Sequence, residues 1–198
     1  MKGAAPVVLC FALASCGHRD EGLTLTVTAQ FESPLREVNV SGQSVAVTQA
    51  QLQVAFVELL PCPESTLARW LSAFSPIGTA HAHGAEAALR STEPSSLNLL
   101  SQSPQRAGVV HPPPGSYCGV RVLVGPTPVD KRSLWLTPGM ETSEVRTLAF
   151  SLPSFELNAE RLKADLVLSL HASLWFEGVD LSGNEAGNQV LTRMVASP

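Results

Sequence analysis

The 198-residue chain is predicted to be all-β: an antiparallel β-sandwich with Greek-key-like connections and one short helix inserted near residues 64–75. Three observations lead there. Apolar and polar residues alternate with a period of two through most of the chain, as in strands that bury one face. Turn residues are frequent, with 14 Gly and 15 Pro, and punctuate the alternating runs at close spacing. Charged residues make up only 15%, which suits a turn-rich β domain better than a helical one. A closed barrel is the alternative, and no repeat at a period of about 20–50 residues points to a propeller or solenoid.

Leu23-Thr24-Leu25-Thr26-Val27-Thr28-Ala29 opens the domain, with apolar and Thr side chains on opposite faces. Val38 and Val40, then Val45 and Val47, continue the alternation around Ser41-Gly42-Gln43, which reads as a hairpin turn. Leu52 to Leu60 is a longer strand that stops at Pro61-Cys62-Pro63, because proline cannot continue the ladder. The period then changes. Leu67, Trp70, Leu71 and Phe74 fall at i, i+3, i+4 and i+7, one stripe of a short helix that Pro76 and Gly78 end. Residues 76–95 form an inserted loop, long enough to suggest a functional or disordered segment.

Strands resume at Leu97 to Leu100 and at Val109-Val110, and Pro112-Pro113-Pro114-Gly115 makes a tight turn. In Tyr117 to Val124, Cys118 shares a face with Val120, Val122 and Val124, which places it inward. Ser133 to Leu136, Val145 to Leu152 and Lys163 to Phe176 are further strands, and Gln189 to Val195 a weak last one. Within the longest, Leu166, Leu168, Leu170, Ala172, Leu174 and Phe176 take one face, while His171 and Trp175 take the other.

The N-terminus has its own character. Lys2 precedes the apolar run Ala4 to Leu13, and Leu13-Ala14-Ser15-Cys16 follows; ten apolar residues span about 15 Å as a helix, half a bilayer core. This arrangement resembles the lipobox of bacterial lipoproteins, which implies cleavage before Cys16 and acylation of Cys16. A plain secretory signal is the alternative. The expected layout is a signal peptide at 1–15, a lipidated tether at 16–22 and a single domain at 23–198. Gly17 after the cysteine resembles lipoproteins sorted to the outer membrane, facing the periplasm or the cell surface. With Cys10 in the signal and Cys16 lipidated, Cys62 and Cys118 remain as the only pair in an oxidising compartment and are expected to form a disulfide. Thiolate metal ligation is the competing role for the two.

The formal charge is −4 and no basic cluster exceeds Lys131-Arg132, so nucleic acid is not an expected partner. No G-x-S-x-G elbow, paired-carboxylate motif or phosphate loop is present, and the chain is not expected to be an enzyme. Its expected partners are the membrane, through the lipid on Cys16, and another envelope protein. Two histidines stand as His81-Ala82-His83, and in an extended segment both imidazoles point the same way, toward a common metal ion. Copper or zinc needs further donors, which His111 or His171 would supply, with Met140 and Met194 as soft alternatives. A solvated, metal-free loop is the plainer reading of the same spacing. Trp70, Trp135 and Trp175 could form a carbohydrate platform, although core packing explains them equally well.

Pro114-Gly115-Ser116-Tyr117-Cys118-Gly119-Val120-Arg121-Val122, preceded by Ser96-Leu97-Asn98-Leu99-Leu100, resembles exported bacterial β-sandwich domains of the MbnP-like type, associated with copper and methanobactin. Trp175-Phe176-Glu177-Gly178-Val179-Asp180-Leu181 resembles the closing strand and turn of that family, so the likeness covers residues 23–181. It implies a mononuclear copper(I) site built from histidines, sometimes with an oxidised tryptophan as a further ligand. His81 stands here where that tryptophan would be, which speaks against the modified residue and leaves His81 and His83, with His111 third, as the metal ligands.

Overall fold

A computed structural model describes residues 22–63, 88–158, 163–183 and 185–196. The helix expected near 64–75 and most of the loop expected at 76–95 lie outside these, as do the signal, Cys16, His81 and His83. The described residues form an all-β, sandwich-like fold. In chain order the strands are β1 (Thr24–Phe31), β2 (Glu37–Val40), β3 (Gln43–Ala46), β4 (Gln49–Pro61), β5 (Ser95–Asn98), β6 (Gln105–Val110), β7 (Gly115–Val124), β8 (Leu134–Thr137), β9 (Met140–Thr142), β10 (Arg146–Leu157) and β11 (Lys163–Leu170). Two helices follow, α1 (Ala172–Phe176) and α2 (Ala186–Ala196).

One sheet has the order β11-β1-β6, a larger one the order β10-β7-β4-β8-β9 with β5 also on β4, and β2-β3 is a separate hairpin. Among the described strands, pairings are antiparallel except β1 with β11, which runs parallel from Thr24↔Lys163 to Phe31↔Leu170. The expectation of a wholly antiparallel fold is corrected there. A parallel pair needs a long crossover, and here almost the whole domain intervenes between its strands. Side chains join the sheets at β5 and β6: Ser95 Oγ donates to the Ala107 carbonyl at 2.7 Å, and Gln105 both accepts from the Asn98 N–H at 2.7 Å and donates to its carbonyl at 2.8 Å.

The alternation in β1 is realised: Leu25, Val27, Ala29 and Phe31 are buried, and the threonines between them lie half-buried on the other face. The β2-β3 turn falls at Ser41 and Gly42, whose φ values of 54° and 78° are the left-handed geometry of a two-residue hairpin turn. β4 supplies the centre of the larger sheet through Leu52, Val54, Val57 and Leu59, its inward face changing at the register shift between Val54 and Phe56.

Two expected strands are not strands to their ends. β11 stops at Leu170, and 172–176 turns as α1, which buries both Trp175 and Phe176. Adjacent residues of a strand with one solvated face cannot both point inward, whereas neighbours on a helix are about 100° apart and can. Residues 186–196 are helical, with Ala186, Val190, Leu191 and Met194 in the core at i, i+4, i+5 and i+8. Gly187 lets this helix approach β9, since a Cβ there would stand 2.9 Å from that of Thr142.

Candidate functional site

The strand registers define two ends of the domain. β6 runs beside β4 in the same direction: Gln105 is held by Asn98, which is opposite Gln51, and Gly108 packs against Val57 and Ser91. The C-terminal end of β6, the start of β1, the end of β4 and the start of β7 therefore gather at one end, where Leu25 faces Val110 and Pro61 faces Tyr117. The chain enters the domain here. The hairpin β2-β3, the β8-β9 pair and the loop after β7 lie toward the other end.

At the entry end Cys62 and Cys118 form a disulfide, with Cα atoms 4.8 Å apart, inside the normal range for such a bond. The thiolate-ligand alternative for these cysteines falls with it. Both are half-buried, so the expectation that Cys118 lies fully inward with the valines is corrected: Tyr117 is the buried neighbour, and register shifts on both sides of β7 break the regular alternation. The Cys62 N–H donates to the Ser116 carbonyl at 2.9 Å. Tyr117 donates its hydroxyl to the Pro113 carbonyl at 2.7 Å and packs on Phe155, and burial raises its pKa.

His111 is exposed just beyond β6, its Nδ1 3.3 Å from Thr24 Oγ1. It lines a cavity of about 230 Å³ with Thr92, Glu93, Ser95 and Arg106. The segment bearing His81 and His83 leaves the described structure after Pro63 and rejoins it at Ala88, and both points belong to this same end. Residues 89–91 lie along β4: the Leu59 N–H donates to the Leu89 carbonyl and the Ser91 N–H to the Val57 carbonyl, each at 2.8 Å, and Arg90 pairs with Glu58 at 3.1 Å. The inserted loop thus ends sooner than expected, since 89–91 lie against the sheet and Ser95 already belongs to β5.

His171 is elsewhere. It precedes α1, with Nε2 3.7 Å from Glu32 and Nδ1 3.4 Å from Ser33 Oγ. Six residues of β1, or roughly 20 Å, separate the level of Leu170 from that of Val110, so His171 and His111 cannot share an ion. Met140 and Met194 are core residues. Among the described residues, no three His, Cys, Asp or Glu side chains converge as a metal site.

The far end carries a cluster that sequence reasoning missed. Asp130 Oδ1 accepts from the Arg132 N–H at 3.0 Å and from Nε at 2.9 Å, and Oδ2 accepts from Nη2 at 3.0 Å and from Trp135 Nε1 at 3.1 Å. Thr127 Oγ1 accepts the Asp130 N–H at 3.0 Å, and the Arg132 guanidinium carbon lies 4.6 Å from the centre of the Trp135 ring. The only legible signs were the basic pair Lys131-Arg132 and Trp135 a few residues on. The hydrogen bonds from Arg132 hold the Asp130 carboxyl down at about 2, against an ordinary 3.8. A carboxylate whose pKa is depressed on folding stabilises the fold above its unfolded value, and that contribution disappears as pH falls through the folded one. The Trp135 indole N–H resonance, which reports the bond to Asp130, is therefore expected to titrate with a midpoint near 2; a midpoint near 3.8 would mean the carboxylate is unpaired in solution.

The class these features define is a disulfide-stapled, sandwich-like all-β domain with distinct side-chain clusters at its two ends. No family model matches the chain, and neither a curated protein nor a solved structure was found that matches it.

Proposed function

We propose that this chain is a lipid-anchored protein of the bacterial envelope, tethered through Cys16 and sorted to the outer membrane, that binds copper through His81, His83 and His111 without catalysing a reaction. One observation carries the metal reading: the two points where the His81-His83 segment meets the described structure lie at the same end of the domain as His111. His83 is five residues from Ala88, a covalent reach of up to about 18 Å. The donor set is chemically apt, because neutral imidazole suits copper, and the disulfide withdraws both domain cysteines from competition for the ion. Export also fits a disulfide, which persists in an oxidising compartment.

Titration of the purified chain with copper(I) is expected to show one equivalent bound, and His81→Ala/His83→Ala to lose it. No stoichiometric uptake, or uptake unchanged in that variant, would sink the reading. A second reading, an interaction lipoprotein whose loops contact another envelope component without metal, draws support from Val129. It is 92% exposed at the tip of the loop that Thr127, Asp130 and Arg132 hold rigid. The same titration separates the two.

A further inference from the structure

We propose that the cavity bordered by Gln49, Arg132, Trp135, Thr137, Met140 and Glu141 is a binding site for a neutral pyranose saccharide. Its volume, about 450 Å³, falls within the range of small-ligand sites, roughly 300–1,000 Å³. The inference is independent of the metal reading, which concerns the opposite end of the domain.

Trp135 sits on β8 between the buried Leu134 and Leu136, so its ring belongs to the outward face of the sheet and not to the core. Its register neighbours are Gln51 on β4 and Glu141 on β9, and Gln49 stands opposite Thr137. The outward surface is thus an aromatic ring set among amides, a hydroxyl and a carboxylate. Arg132 covers one face of the ring, its guanidinium carbon 4.6 Å from the centre, and a pyranose suits the surface that is left: C–H groups that pack on the remaining aromatic surface, and hydroxyls that both donate and accept.

The charges around the cavity select against an anionic ligand. Arg132 Nη1 lies 3.8 Å from Glu141, and the rest of its guanidinium is occupied by Asp130, so one cation is shared between two carboxylates. An anionic ligand finds no free cation there. The amide of Gln49 makes no hydrogen bond among the described residues and offers both donors and an acceptor to the cavity.

Rigidity is the other argument. Four hydrogen bonds to one carboxylate fix Arg132 and Trp135 outside the hydrophobic core. Side chains already ordered in this way lose little further freedom when a ligand binds, which favours affinity.

The test uses the full-length ¹⁵N-labelled chain, with the Trp135 indole N–H signal assigned by its loss in Trp135→Phe. Cellotetraose and fully N-acetylated chitotetraose, both neutral, are each titrated to about 10 mM, a range that reveals even millimolar binding. At least one is expected to shift the Trp135 signal saturably, and Gln49→Ala/Glu141→Ala to weaken that binding by roughly tenfold or more. Both replaced side chains are exposed, so the variant should fold as the parent does. If neither saccharide shifts the signal, or if the double variant binds as tightly as the parent, the proposal is overturned.

Discussion

Replacing Cys62 and Cys118 together with serine is expected to lower the unfolding free energy by about 4 kcal/mol. The bond closes a loop with a sequence separation of 56, and in a chain-entropy treatment its main effect is to restrict the unfolded chain. The loop takes in the whole segment between β4 and β5, which the bridge closes at its base by tying the end of β4 to β7. For a domain of this size the melting temperature should drop by on the order of 10 °C. Urea unfolding of the oxidised protein, the reduced protein and the double serine variant checks this. Equal midpoints for all three would show that the bond adds nothing to the fold, and labelling of both cysteines in the denatured, unreduced protein would show that it does not form.

The other large effect is expected at Trp175. The residue is fully buried and meets Phe31 edge-on, with ring centres 6.0 Å apart and planes at 84°. Removing a buried tryptophan side chain costs roughly 3–5 kcal/mol through lost burial and the cavity left behind. Its neighbour Leu174 is 47% exposed, so Leu174→Ala should change stability by about 0.5 kcal/mol or less beyond the helix-propensity term. The pair of variants distinguishes the two local structures. In a strand continuing from β11, Leu174 would share the inward face of Leu168 and Leu170 and Trp175 would face out, so the larger loss would fall on Leu174. Denaturant unfolding that finds Leu174→Ala the more damaging variant would overturn α1.

Where one face of a strand is buried and the other wet, the alternation was readable directly, as the threonines and apolar residues of β1 demonstrate. The β2-β3 hairpin was equally legible, because Ser41-Gly42 offers a glycine where the turn requires a left-handed residue. The C-terminal region was not. From Leu166 to Phe176 apolar residues fall on every second position, which satisfies a strand, yet the adjacent pair Trp175-Phe176 is buried together because the chain turns there as a helix. In α2 the apolar residues Ala186, Val190, Leu191 and Met194 fall at helical spacing, which the expectation of a weak strand over Gln189 to Val195 passes over.

Of the candidate sites, His81, His83 and His111 were singled out by spacing and resemblance, whereas the grouping of Asp130, Arg132 and Trp135 was invisible. Nothing local announces that a carboxylate will accept from a guanidinium two residues away and an indole five residues away, because that depends on how the loop after β7 folds back over β8. Metal ligation by Cys62 and Cys118 was open on composition and closed by the disulfide geometry.

By itself, then, the sequence determined the all-β class, most strand positions and the pairing of Cys62 with Cys118, because period, turn chemistry and cysteine number act locally or by simple exclusion. Only the tertiary structure decided that β11 lies parallel to β1, that α1 and α2 close the core, and that His111 and the anchored ends of the His81-His83 segment share one end while His171 is excluded from it. Those outcomes depend on partners far apart in the chain. Local pattern specifies which face a residue presents, and long-range packing specifies what that face meets.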